Sequence, residues 1–276
     1  MPTLTAEQAW EAQQPPYPTY EALQEVAQRD RSAVLATLSP SAQRLFWTLS
    51  GPLTSPTSIS IMEKPHNPDS LEPYFDQSTN TFHAVSEAPL TEPKVSSITA
   101  RVYELELWEE QWMDMHRNHS EPDGGEENGE GVVWGELEDY DEDLDEEGEG
   151  DDETLHLLMC CSEKRPRKKA VNITVKPATG GGKGFVTVHD YLSTVHLWLL
   201  GLRGDILAAM HMMNDGGMRE LHGDGELMPT VPSSASDLMV KCNSPVWLRM
   251  CTRGVWIKEE RNPPKLDFSS RSAFAR

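Results

Sequence analysis

Histidines and cysteines supply most of the metal and nucleophile chemistry that this 276-residue sequence could support. His116 and His119 are three residues apart, which places two imidazoles on one face of a helix, with Asp114 nearby. The four cysteines, at positions 160, 161, 242 and 251, lack the paired Cys-x-x-Cys spacings of a closed zinc site. Because such sites usually show themselves by ligand spacing, the sequence predicts no metal ion and no cofactor.

A second candidate group lies further along the chain. His189-Asp190 is similar to the doublet of metal phosphohydrolases, but no further spaced His and Asp partners accompany it. Thr187 stands three residues before Asp190, the spacing of a capping box, so the doublet favours a helix start. His196 follows on the same helical face and is interpreted as a core residue. An enzyme or small-molecule site assembled from His116, His119, His189 and His196 remains the alternative hypothesis.

The common catalytic motifs are absent from the sequence. The glycine run 180–184 fails as a phosphate-binding loop, because Pro177 and Gly184 stand where a glycine and a Ser or Thr are required. No G-x-G-x-x-G follows a predicted strand, and neither G-x-S-x-G nor H-E-x-x-H occurs. The sequence therefore predicts no catalytic residues and favours a non-enzymatic protein.

The acidic charge is concentrated in one tract. Residues 121–153 hold 18 of the 45 acidic residues and no Lys or Arg, whereas the rest of the chain has 27 acids against 24 bases. Repulsion and interspersed glycines predict a disordered insertion over 121–153. Within it, Val132 and Val133 precede a group of apolar side chains that are candidate contacts to a basic, apolar groove. These are Trp134, Leu137, Tyr140 and Leu144.

A basic cluster follows the acidic tract. It consists of Lys164, Arg165, Arg167, Lys168 and Lys169. Three interpretations compete: a nuclear localisation signal, a phosphate-contacting patch, or a solvated hairpin loop paired with the acidic tract. The third is favoured, and nucleic acid binding is the least favoured because the carboxylates compete for the same cations.

The first 94 residues are predicted to form a helical segment followed by an irregular one. Residues 1–50 are interpreted as a helical extension, with one helix beginning after Thr19 and another from Ser39-Pro40 to Leu49. Residues 51–94 contain 7 Pro and 11 Ser or Thr in 44 positions, which indicates a linker or wrapping loop.

The strongest patterns lie between residues 95 and 258. They predict a strand to about Leu107 followed by a helical turn, strands over 155–161 and 170–176, and helices over 187–200 and 205–213. Three short strands are predicted at 238–242, 246–250 and 255–258. We expect one α+β domain over 95–258, with a small antiparallel or mixed sheet packed against two helices, and a loose tail over 259–276.

The helical region also carries a resemblance. The residues V-T-V-H-D-Y-L-S-T-V-H-L-W-L-L (186–200), the following D-I-L-A-A-M (205–210) and the terminal D-L-M-V…W-I resemble a group of fungal proteins of uncharacterised function. The resemblance covers about residues 95–258 and rests on packing positions. It implies an α+β domain, and it implies no activity.

The composition also bears on membrane insertion and on the compartment in which the protein is found. No run of about 18 apolar residues occurs, which predicts no membrane span, and the first residues lack the features of a signal peptide. Four cysteines do not suggest a disulfide scaffold, so we expect an intracellular protein of the cytoplasm or nucleus. The main hypothesis is an interaction protein whose acidic insertion contacts a basic protein partner. The oligomeric state is left open.

Overall fold

The computed structural model describes residues 15–29, 36–117, 131–137, 155–166, 171–178, 183–215, 237–242 and 244–262. Within them lie five helices: α1 (Tyr20–Arg29), α2 (Tyr103–His116), α3 (Val188–Gly201), α4 (Arg203–Asp215) and α5 (Arg253–Arg261). Fourteen strands accompany them: β1 (Thr37–Leu38), β2 (Leu45–Thr48), β3 (Ile59–Met62), β4 (Leu71–Pro73), β5 (Phe75–Asp76), β6 (Thr81–Phe82), β7 (Thr91–Glu92), β8 (Ile98–Val102), β9 (Val133–Gly135), β10 (His156–Cys160), β11 (Glu163–Lys164), β12 (Asn172–Val175), β13 (Leu238–Lys241) and β14 (Trp247–Thr252). The fold is α+β.

A seven-stranded mixed sheet forms the centre of the fold, in the order β12-β8-β14-β13-β2-β3-β4. Strands β8 and β14 run parallel, with Leu248 opposite Val102, and every other neighbouring pair is antiparallel. The sheet therefore joins strands from residues 45–73 to strands from residues 98–252. We call this sheet and the helices packed on it the main body.

Alternating side chains give the sheet two apolar faces. On one face Trp47, Val240 and Ile61 join the main hydrophobic core, which also receives α3 and α4. On the opposite face Phe46 and Met239 pack with α5, whose Trp256 meets the Phe46 ring edge-to-face at 4.8 Å between centroids. Helices thus cover both faces of the sheet.

The capping box predicted at Thr187 is confirmed. The Thr187 hydroxyl oxygen accepts a hydrogen bond from the Asp190 N–H at 3.1 Å, and Asp190 Oδ2 accepts one from the Thr187 N–H at 2.9 Å. Because these bonds satisfy two backbone donors at the helix start, α3 begins at Val188.

Two predictions in the N-terminal part of the chain are wrong. The helix expected from Ser39 to Leu49 is replaced by a short 3-10 helix, Ala42–Arg44, and by strand β2, whose four residues are all buried. A strand covered on both faces shows no alternation, so its apolar run looked helical. Residues 51–94, expected to be a linker or wrapping loop, contribute β3 and β4 to the main sheet.

Two further predictions, both between residues 95 and 258, differ from the structure. The strand predicted to reach Leu107 ends at Val102, where α2 begins. The strand predicted over 255–258 is part of α5, whose start is capped by the Thr252 side chain accepting from the Val255 N–H at 3.4 Å. The helix buries Trp256 against the sheet, and this packing outweighs the β-propensity of Val, Trp and Ile.

A smaller unit, which we call the lobe, consists of β9, β10, β11 and the C-terminal half of α2. Its antiparallel sheet has the order β11-β10-β9. The buried lobe core is formed by Trp112, Leu157 and Cys160. Among the described helices, none is both long and apolar enough to cross a membrane.

Candidate functional site

The lobe brings a histidine and two cysteines together. His116 occupies the last position of α2, where its ring lies 4.4 Å from the Trp112 ring between centroids. Cys160 ends β10, and Cys161 follows in the turn to β11. One ligand atom from each of His116, Cys160 and Cys161 lies within 4.8 Å of the other two, so the three form a candidate metal centre.

The turn after β10 explains how adjacent cysteines share one side. Cys160 lies opposite Glu163, so Cys161 and Ser162 are the two central residues of a tight hairpin. Their φ angles are +52° and +65°, the left-handed values that such turns require and that Asn and Gly usually supply. In a continuing strand the two side chains would point to opposite faces, but this turn leaves the Sγ atoms 4.0 Å apart.

Burial falls off across the candidate centre. Cys160 and His116 are buried, Cys161 is exposed, and the Glu163 side chain is 61% exposed with Oε2 3.9 Å from His116 Nε2. Burial and the neighbouring Cys161 thiol raise the pKa of Cys160 above its ordinary value. The group therefore opens to solvent on the side of Cys161 and Glu163.

Of the four histidines predicted as alternative site residues, the structure describes His116, His189 and His196, and it places these three in different surroundings. His196 lies in the main core, where its Nδ1 accepts from Trp47 Nε1–H at 2.9 Å and its Nε2 donates to the Gly51 carbonyl at 2.7 Å. Burial lowers the pKa of His196, consistent with a neutral imidazole that bridges two structural groups.

His189 and Asp114, two further residues considered as site candidates, lie in different places. His189 Nδ1 lies 3.1 Å from the Tyr74 hydroxyl, and its ring lies 4.4 Å from that of Phe82 between centroids. Asp114, predicted near the His116 face, instead pairs with Arg117 on the surface. His119 lies outside the described residues.

The structure describes two of the four apolar residues predicted as interaction contacts, Trp134 and Leu137. Trp134 lies opposite Leu157 in the lobe sheet and packs against the lobe core, and Leu137 is half-buried. Disorder was predicted for all of 121–153, but residues 133–135 form β9, because this apolar island buries part of its surface against β10 and α2. Tyr140, Leu144 and the remainder of the tract lie outside the described residues.

The basic cluster begins inside the lobe. Lys164 is an exposed residue of β11, whereas Arg165 Nε donates to Glu109 Oε1 of α2 at 2.7 Å with both side chains largely buried. Arg165 is therefore committed to an ion pair within the fold. Arg167, Lys168 and Lys169 lie outside the described residues.

Sequence reasoning missed Cys160 and Cys161 as partners of His116. The adjacent cysteines at the end of an apolar strand were the available signal, but linear spacing does not reveal that the hairpin packs against the end of α2. Comparisons with protein-family profiles, with curated proteins and with solved structures find no match to this chain. Any function must therefore be argued from charge and geometry.

Proposed function

We propose that this is a non-enzymatic interaction protein that uses the acidic tract to contact basic protein partners. The observation that carries the proposal is the position of β9 within that tract. Strand β9 pairs with β10, with Trp134 opposite Leu157, so the middle of the tract is attached to the folded lobe. The sequence places five carboxylates in residues 121–130 and twelve in residues 138–153, on either side of this attachment.

Electrostatics favour a basic partner for this arrangement. Outside the tract the charge is close to neutral, with 27 acids against 24 bases, so the tract dominates the field of the protein. Clustered charge of one sign attracts oppositely charged surfaces and accelerates their encounter. Because the Debye length is about 8 Å at physiological ionic strength, contact through these carboxylates weakens as salt rises.

The same charge distribution disfavours nucleic acid as the partner. A phosphate backbone would be repelled by the tract, and Arg165 is already paired with Glu109. We place the protein inside the cell, in the cytoplasm or nucleus. The basic cluster over 164–169, which includes Arg165, is the candidate nuclear address and remains a prediction.

The test replaces the twelve acidic residues of 138–153 by Asn and Gln while leaving β9 intact. The matched control permutes the order of 138–153 and so keeps its charge. We expect the amide variant to bind purified core histones at least about tenfold more weakly than the parent protein at low salt, and the permuted control to bind as the parent does.

Two results would contradict this proposal. Equal histone binding by the amide variant and the parent would show that the carboxylates are not the contact. Unchanged binding together with increased aggregation of the amide variant would show that the tract only keeps the protein in solution.

A further inference from the structure

We propose that His116, Cys160 and Cys161 form a zinc-binding site, with the Glu163 carboxylate as the fourth ligand. The proposal goes beyond the acidic tract, because it concerns the lobe to which the tract is attached. Two sulfurs, one imidazole and one carboxylate are the ligand types that zinc accepts in proteins. Thiolates favour zinc or Cu(I) over Mg²⁺ and Ca²⁺, which prefer oxygen ligands.

The distances fit a tetrahedral ion after small movements. With Zn–S bonds of about 2.3 Å and Zn–N bonds of about 2.0 Å, tetrahedral geometry puts two sulfurs about 3.8 Å apart and sulfur and nitrogen about 3.5 Å apart. The Sγ atoms of Cys160 and Cys161 are 4.0 Å apart, and all three ligand atoms lie within 4.8 Å of one another. Glu163 Oε2 lies 3.9 Å from His116 Nε2 but outside this group of three, so its exposed side chain would have to turn towards the sulfurs to become the fourth ligand.

The hairpin turn gives an independent argument. Cys161 and Ser162 adopt positive φ angles, which cost a non-glycine residue free energy and are usually given to Asn or Gly. A cysteine at this position turns its thiol towards Cys160 and the end of α2. We infer that the side chain of Cys161 contributes something that Asn or Gly would not, and metal ligation accounts for it.

The size of the lobe core supplies a reason for a metal. Three described residues, Trp112, Leu157 and Cys160, make up its buried apolar cluster. Small cores are commonly reinforced by a metal or a disulfide, because their buried area alone stabilises them little. An ion held by His116 and the two cysteines would join the end of α2 to the β10–β11 hairpin.

The proposed ligands also flank the acidic tract in the sequence. The tract lies between His116 and Cys160 in the sequence, so an ion bound to both residues fixes the two flanks of the tract at one place. Holding the ends of a long segment together restricts the positions that its charges can reach. Zinc would thereby determine how the acidic tract is presented.

The experiment titrates the full-length protein, reduced with a phosphine and stripped of metal by a chelator. Zinc affinity is measured in competition with a chromophoric chelator, and Co²⁺ serves as a spectroscopic probe. We expect one ion per chain and a thiolate-to-cobalt charge-transfer band in the near ultraviolet. Preferential binding of Cu(I) over zinc, at the concentrations of the two ions available in cells, would overturn the choice of zinc.

The variants separate ligands from bystanders. Cys160 is buried and its removal endangers the fold, so the main variant is Cys161→Ser, at an exposed turn position, with folding checked by circular dichroism. We expect it to weaken zinc binding at least about a hundredfold and to reduce the cobalt band, and Glu163→Gln to weaken binding about tenfold. The control is Cys242→Ser. Cys242 lies away from the lobe, where its thiol donates to the Ser244 carbonyl at 3.6 Å, so this variant should bind zinc as the parent does.

Three outcomes would overturn the proposal. The first is no stoichiometric zinc or cobalt binding by the reduced parent protein. The second is equal binding by Cys161→Ser and the parent. The third is a mass lower by two hydrogens in the peptide containing Cys160 and Cys161, taken from protein purified without reductant, together with metal-independent folding of the lobe, which would identify the pair as a disulfide switch instead.

Discussion

The main body and the lobe are built on different amounts of buried surface. The main core draws buried residues from most of the elements between α1 and β14, whereas the buried lobe cluster has only Trp112, Leu157 and Cys160 among the described residues. Helix α2 belongs to both, with Leu105 in the main core and Trp112 in the lobe. Because buried apolar area sets most of the folding free energy, the two regions should open with different free energies.

Removal of Trp47 should give the largest effect, because it damages the main core. Trp47 is fully buried and its Nε1–H donates to His196. Trp47→Ala should lower the free energy of unfolding by about 3–5 kcal/mol and leave His196 without this donor. Chemical denaturation checks it, with Leu197→Ala, at a side chain 72% exposed on α3, as a control that should change little.

Removal of Leu157 should damage the lobe alone. Leu157 is 1% exposed and pairs with Trp134, so Leu157→Ala leaves a cavity that costs the lobe about 2–4 kcal/mol. Limited proteolysis should then cut the lobe sheet faster, while the denaturation midpoint of the main body stays close to that of the parent. Loss of both structures in one transition would show that the lobe and the body are a single cooperative unit. Leu155→Ala, at a side chain 56% exposed, is the control.

Glu104 should make the stability of the main body sensitive to pH. It lies buried in the first turn of α2, where one carboxylate oxygen accepts from the Met250 N–H at 2.8 Å, and burial raises its pKa to about 7. Between about pH 4.5 and pH 7 the folded protein therefore keeps a proton that the unfolded chain, with a pKa near 4.5, has lost. Stability contributed by this proton is present at low pH and is lost as pH rises through about 7.

The variant Glu104→Gln keeps the acceptor and cannot ionise. Its stability relative to the parent should grow between pH 5 and pH 8 and level off above, reaching at most about 3 kcal/mol. Denaturation at several pH values measures it. Glu110→Gln, on the exposed face of the same helix, is the control, and a difference between Glu104→Gln and the parent that does not change with pH would contradict the assignment.

The smallest effect should come from the cap of α3 in the main body. Thr187→Ala removes the hydroxyl that accepts from the Asp190 N–H and should cost about 1 kcal/mol. Thr194→Ala, within the same helix, removes a hydroxyl that only donates to the Asp190 carbonyl and should change stability much less. Thermal denaturation compares them, and equal losses would argue against the capping box as the source.

Local patterns predicted the elements that carry their own signals. The Thr187 cap, the alternation in Val171, Ile173 and Val175 and the start of α1 after Thr19 depend on neighbours in sequence, and the structure places elements there. Strand β2 and helix α5 were misassigned because burial against distant strands decides their form. The approach of His116 to Cys160 depends on a hairpin docking onto a helix, which spacing along the chain cannot encode.

Hydrogen exchange of the metal-free, reduced protein tests the difference between the two regions most directly. The backbone amides of β10 and β11 should exchange at least about a hundredfold faster than those of β13 and β14, and added zinc should slow the lobe amides alone. If the lobe amides of the metal-free protein exchange as slowly as those of the main sheet, the lobe is as stable as the body and needs no ion to hold it.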